Sequence, residues 1–103
     1  MPIMQTVFVR TTLRAFHTDP TGVEGRHAHT WTVKATFPAE PFVDARHRAK
    51  VLEGVIADFQ GADLAPENWA TEDLAAVILR RMGRACLAVE MDRPDGCGAE
   101  ARW

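Results

Sequence analysis

Apolar and polar residues alternate with a period of two over the first part of the chain. Residues 5–17 read Gln-Thr-Val-Phe-Val-Arg-Thr-Thr-Leu-Arg-Ala-Phe-His. Successive side chains of a strand point to opposite sides. Val7, Val9, Thr11, Leu13, Ala15 and His17 therefore share one face, and Phe8, Arg10, Thr12, Arg14 and Phe16 share the other. The alternation and the β-branched content predict a strand. Asp19-Pro20-Thr21-Gly22 is a turn signal. The alternation resumes over 26–37, with His27, His29, Trp31, Val33, Ala35 and Phe37 on one face. Two such runs around a turn predict an antiparallel hairpin, closed by Pro38 and Pro41.

The period then lengthens to that of a helix. Ala45, Ala49, Leu52, Val55, Ile56 and Phe59 recur at helical spacing with charges between them, which predicts a helix over 44–59. Asp44 is its expected N-cap, and Gly61 fits its stop. A second helix is predicted over Thr71–Met82, with Leu74, Val77, Ile78 and Leu79 inward, Thr71 at the cap and Gly83 at the end. Ala85–Glu90 reads as a short strand, 92–96 as a turn, and Ala99–Trp103 as a final edge strand. The order β-β-α-α-β-β predicts an α+β unit: a four-stranded antiparallel sheet with two helices on one face. Its edges would be open, and small sheets often cover them by oligomerising. A length of 103 residues, with no repeat or linker, predicts one domain over 1–103.

Composition removes several function classes. Hydrophobic residues make up 47% and charged residues 25%, an ordinary globular balance. A net charge of −2 lacks the basic excess of a nucleic-acid-binding surface. No apolar run approaches the roughly 20 residues needed to cross a bilayer. The opening Met-Pro-Ile-Met-Gln lacks the basic and apolar regions of a signal peptide, so a cytoplasmic protein is expected. Cys86 and Cys97 form no C-x-x-C pair and are expected as free thiols.

The histidines are what the strand pattern does not explain. His27 and His29, two apart on one strand, project together, and His17 ends the strand expected beside them. Three neutral imidazoles with an open position make a catalytic zinc site rather than a structural one, which would be closed by four protein ligands. The competing reading is three ordinary solvated or core histidines, since a lone H-x-H arises often by chance.

Taken together, these elements resemble the 6-pyruvoyl-tetrahydropterin synthase / 6-carboxy-tetrahydropterin synthase family, from about Val7 to Glu100. The family's Ala-x-His element is matched by Ala15-Phe16-His17, and its H-G-H-N-Y element by His27-Ala28-His29-Thr30-Trp31. A valine-aspartate element before the first helix is matched by Val43-Asp44. The N-P-T-x-E-N-L-A signature is matched by Asn68-Trp69-Ala70-Thr71-Glu72-Asp73-Leu74-Ala75, and a late-strand glutamate by Val89-Glu90-Met91. The resemblance implies the tunnelling fold (T-fold), in which three subunits close a barrel and two trimers stack into a hexamer, with active sites between subunits. It also implies zinc on His17, His27 and His29, a pterin-like small-molecule substrate anchored by Glu90, and Thr71 among the substrate-binding residues. A carboxylate can hold the guanidine-like edge of a pterin by two parallel hydrogen bonds.

The chain departs from the family where the chemistry is done. Val23 stands where typical members carry a cysteine, Gln60 and Gly61 stand where they carry an Asp-His pair, and Ala28 replaces a glycine. Glu24 gives E-x-x-H-x-H, as in a subgroup associated with cleaving the side chain of 7,8-dihydroneopterin triphosphate. A partly desolvated glutamate beside zinc can serve as general base, and its bland alternative is a polar loop residue. Cys97 reads as a loop thiol in preference to a relocated nucleophile, Cys86 as core, His47 as solvent-facing, and Asp63 as a turn residue in preference to a replacement acid. Arg10, Arg14, Arg26 and Lys34 are either phosphate ligands or solvated strand charges. The readings that follow are a zinc-dependent pterin lyase with Glu24 as base, a retired relative that binds without turnover, and a member recruited to different chemistry at the same metal.

Overall fold

The two alternating runs form 13-residue strands, β1 (Thr6–Thr18) and β2 (Arg26–Pro38), in a computed structural model that describes residues 2–18, 25–68 and 70–103. They pair antiparallel from Thr6↔Pro38 to Thr18↔Arg26. Their shared inner face buries Val9, Leu13, Ala15, Trp31, Val33, Ala35 and Phe37. The expected turn at 19–22 lies outside the described residues.

Helix α1 (Ala45–Ile56) starts as the sequence predicts: the Asp44 carboxylate accepts the Arg46 N–H at 2.9 Å. The expected end at Phe59 is reached through a 3-10 turn over 57–59. Leu52, Ile56 and Phe59 are buried, whereas Ala45, expected inward, is exposed. Helix α2 (Thr71–Met82) has the expected bounds, but its cap is a correction. Ala70 occupies the N-cap position with no side-chain bond, and Thr71 is the first helical residue. Trp31 is the reason: its indole N–H donates to Thr71 Oγ1 at 3.2 Å, so the hydroxyl ties the helix start to β2 instead of capping it.

Strands β3 (Ala88–Asp92) and β4 (Gly98–Arg102) complete a sheet of order β1-β2-β3-β4, antiparallel throughout. β3 begins three residues later than predicted and runs past Glu90, because the alternation does: Val89 and Met91 are buried, while Glu90 and Asp92 turn to the other face. α1 packs over β1, and α2 over β3 and β4, so both helices cover one face. Leu13, Leu52, Leu74, Ile78, Val89 and Met91 form the fully buried centre between the layers. The segment after α1 runs along β1 as a short parallel edge. Phe16 N–H donates to Ala62 O at 2.8 Å, Gly61 N–H to Arg14 O at 2.7 Å, and Leu64 N–H to Phe16 O at 2.7 Å. No helix among the described residues is long and apolar enough to cross a membrane.

Because Leu13 is fully buried between β1 and the helices, Leu13→Ala is expected to cost about 2–5 kcal/mol. Urea titration checks this: the midpoint should fall with the slope unchanged. A loss under about 1 kcal/mol would place Leu13 outside the core.

Candidate metal centre

The β1–β2 register sets the site. His17 lies directly opposite His27, and His29 follows one alternation later, opposite Ala15. All three stand on the inner face, where the apolar core gives way to a cavity at the end of the hairpin. His17 is 5% exposed, the one buried polar side chain among the described residues. The three rings meet edge to face, with centroids 4.4–4.8 Å apart. Trp31 stands at the base of the cluster, 5.7 Å from the His29 ring and 6.5 Å from His17.

The nitrogens converge. His27 Nε2 lies 2.8 Å from His17 Nε2 and 3.1 Å from His29 Nε2, and one ligand atom from each ring falls within 4.8 Å of the others. Three nitrogens on a tetrahedral zinc would sit about 3.3 Å apart, from the ~2.05 Å Zn–N distance. The two spacings from His27 are thus a few tenths of an ångström tighter than a bound ion would set. The tautomer also suits a metal. His27 Nδ1 lies 3.0 Å from Gly25 O, a carbonyl that can only accept, so Nδ1 carries the proton and the Nε2 lone pair points to the centre. Gly25 holds φ +69°, a left-handed conformation suited to glycine, and this aims its carbonyl back at the ring.

Electrostatics favour the neutral form of His29. The His29 pKa is lowered from its ordinary 6.5, first by burial and then by the positive neighbours His17, Arg93 and His27, with Asp95 opposing. A neutral ring is the form that donates a lone pair to a metal.

A cavity of about 490 Å³ opens on the triad, lined by His17, His27, His29, Ala70, Thr71, Glu72, Arg93, Cys97 and Gly98. The start of α2 and the β3–β4 loop thus form its rim. Thr71, singled out from the sequence, is here. Cys97, read as an uninvolved loop thiol, also faces this cavity. Arg93 and Glu72 were not singled out. The signal for Arg93 was available: Val89, Met91 and Arg93 continue one alternation, so Arg93 falls on the face of the histidines. The loop that carries it is tightly built. Arg93 N–H donates to Cys97 O at 2.8 Å, and Gly96 takes φ +86°. A side chain at Gly98 would press to 2.6 Å from Met91 O.

Glu90 is elsewhere. It pairs with Lys34 across β2–β3 on the open face of the sheet and lines a second cavity with Phe8, Lys34 and Trp103. Within one chain the fold does not bring it to the histidines. Glu24 lies outside the described residues. Gln60 is fully used as structure: its amide donates to Thr12 O at 2.7 Å and accepts from Arg14 N–H at 3.1 Å, mimicking a strand rung. Asp63 pairs with Arg26. Arg14 and Arg26 flank the Phe16 ring, and Arg10 and Lys34 flank Phe8, all on the open face. His47 is exposed, and Cys86 is buried with its thiol on Ala88 O.

Among solved structures, the chain superposes on Caenorhabditis elegans 6-pyruvoyl tetrahydropterin synthase with a TM-score of 0.80, over all of this chain and 97% of that one, at 12% identity. The chain has the T-fold. No family model and no curated protein sequence matches it. The expected architecture of a four-stranded antiparallel sheet with two helices on one face is therefore borne out.

The depressed His29 pKa has a consequence for the metal-free chain. Unfolded His29 takes up its proton near pH 6.5, and native His29 only at lower pH, so stability falls as pH drops through this window. Melting temperatures of metal-free protein between about pH 7.5 and about pH 5.5 should show this fall, and His29→Gln should flatten it. An unchanged slope in His29→Gln would assign the dependence to other groups.

Proposed function

We propose that this chain is a zinc-dependent lyase of the pterin-synthase type, with the metal on His17, His27 and His29. The observation that supports it best is the convergence of three imidazole nitrogens, one fixed in tautomer by Gly25 O, on a cavity roomy enough for a small substrate. The T-fold shared with a tetrahydropterin synthase is consistent with a dihydropterin substrate, 7,8-dihydroneopterin triphosphate or a related compound. When bound, the metal supplies Lewis acidity that lowers the pKa of substrate hydroxyls and polarises a carbonyl. The chain's own residues then have separate tasks. The buried His17 and the Trp31 wall exclude water from the inner side of the cavity. Glu24, three residues before His27, is the proposed general base. The Thr71 hydroxyl, held by the Trp31 indole, keeps its own proton to donate to a substrate oxygen.

Assembly is part of this reading. A homotrimer or homohexamer would close the open sheet edges and turn the face bearing Glu90 toward a barrel lumen. A cytoplasmic location accords with the free thiols of Cys86 and Cys97. The second reading is a family relative with altered chemistry, binding a pterin-like ligand without turnover or using another substrate. The loss of the usual Asp-His pair favours it, since Gln60 stands in that place with its amide bonded to Thr12 O and Arg14 N–H.

Purified protein is expected to hold about one zinc per chain by elemental analysis, and His27→Ala/His29→Ala to lose it. No metal in the parent, even after zinc addition, would sink the lyase reading.

Zinc-loaded protein incubated with 7,8-dihydroneopterin triphosphate is expected to release a hydroxymethyl- or carboxy-pterin by mass spectrometry. Glu24→Ala should lose the product, a drop of roughly 10²–10⁴-fold in rate, and keep its metal. Binding without product, at high enzyme and long times, would shift the assignment to the second reading.

A further inference from the structure

We propose that Arg93 binds an oxyanion, a carboxylate or a phosphate, on the molecule held at the triad, so that the cavity selects small chelating compounds that carry negative charge. This rests on the metal reading of His17, His27 and His29 and adds the class of substrate. Arg93 is the one lysine or arginine among the described residues lining that cavity. It gets there by strand parity: after Val89 and Met91 enter the core, the next inward position along the same line is Arg93, just past the end of β3. The hairpin loop then folds back on it through the Arg93 N–H to Cys97 O bond.

The guanidinium has two side-chain partners, Asp95 and Cys97. Asp95 accepts from Nη2 at 2.8 Å and from Nε at 3.4 Å, and is itself steadied by the Cys97 backbone N–H at 3.0 Å. The Cys97 thiol is its other side-chain partner. A guanidinium carries five N–H donors in a rigid fork, and these partners use only some of them. Its side chain is 26% exposed, so the group is partly desolvated while open to the cavity. Charge-assisted bonds to a carboxylate or phosphate are stronger in such a place than in open solvent. The acid on the same wall, Glu72, is exposed and makes no ion pair with Arg93. A neutral polyol would leave these donors unused, whereas an anionic chelator would be gripped at two points, by the metal and by Arg93. The competing reading makes the Arg93–Asp95 pair a loop staple with no ligand.

Full-length protein loaded with cobalt(II), whose visible bands report ligands entering the metal's shell, separates the two. The probes are dihydroxyacetone phosphate against dihydroxyacetone, and glycerate against glycerol. In the parent protein, at least one anionic probe is expected to shift the bands at a concentration about tenfold or more below its neutral counterpart. The pair that shows the larger preference tells phosphate from carboxylate. Arg93→Met should reduce that preference about tenfold while keeping the unliganded spectrum and the response to the neutral probe. Asp95→Asn removes the competing carboxylate but keeps the cation, so it should preserve or enlarge the preference. Equal preference in Arg93→Met and the parent would overturn the proposal, and so would equal loss in both variants, which is the signature of a staple. Absent cobalt bands in the parent would instead show that the metal reading itself had failed, and the inference would fall with it.

Discussion

The register of the β1–β2 ladder positions the three histidines that converge at one end of the hairpin. Its thirteen rungs alternate strictly, so one residue of slip would turn one strand over relative to the other and part Leu13 and His17 from Trp31, His27 and His29. The burial that holds the fold together is therefore the same burial that aims the imidazoles. Leu13 faces Trp31, Ala15 faces His29, and His17 faces His27 along one continuous inner surface. Trp31 extends this constraint beyond the sheet. Its ring packs beside the triad, and its indole nitrogen fixes the first residue of α2, so the helix that covers the core also forms a wall of the cavity.

The same alternation divides the remaining chemistry between two faces. On the open side one row runs Arg10, Lys34, Glu90 and Glu100, so a single opposite-charge pair, Lys34 with Glu90, sits between two like-charge pairs, and none of the four lines the histidine cavity. Met91 and Arg93, one and three residues beyond Glu90, lie on the inner line. A glutamate in a late strand and an arginine in the following loop thus line different cavities. What decides between them is odd or even position relative to Val89, not distance along the chain.

Much of this was legible in the sequence because period two is a strong signal when thirteen residues obey it. The hairpin and the grouping of His17, His27 and His29 follow from it, and both helices follow from the longer period after it. The misses share a physical cause: they depend on contacts between elements that no local pattern encodes. Thr71 looks like an N-cap because Ser and Thr usually are, yet its hydroxyl goes to Trp31, forty residues away. Gln60 occupies a position where a catalytic acid would be sought, and its amide instead completes the edge of β1. β3 runs past Glu90 to Asp92, since charges on alternate positions are what a strand with one solvated face carries. Cys97 and Arg93 reach the metal cavity only because the turn between β3 and β4 closes tightly, with Gly96 and Gly98 where side chains would be strained or would clash.

The triad also couples the site to the stability of the fold. Three imidazoles are drawn together at the end of an apolar layer, and protonation of His29 is opposed there by burial and by neighbouring positive charge. In the metal-free chain this is a local liability, because the native arrangement opposes protonation of His29. A cation that binds the native arrangement and not the unfolded chain converts the liability into stabilisation that grows with the logarithm of metal concentration. The hairpin register, the neutral state of His29 and the affinity for metal are then linked: a change that loosens the ladder weakens metal binding, and a bound metal resists any slip of the ladder. A site built at the middle of a loop would lack this reciprocity. Here it would arise because the three histidines lie within the last four rungs of the longest pairing in the sheet.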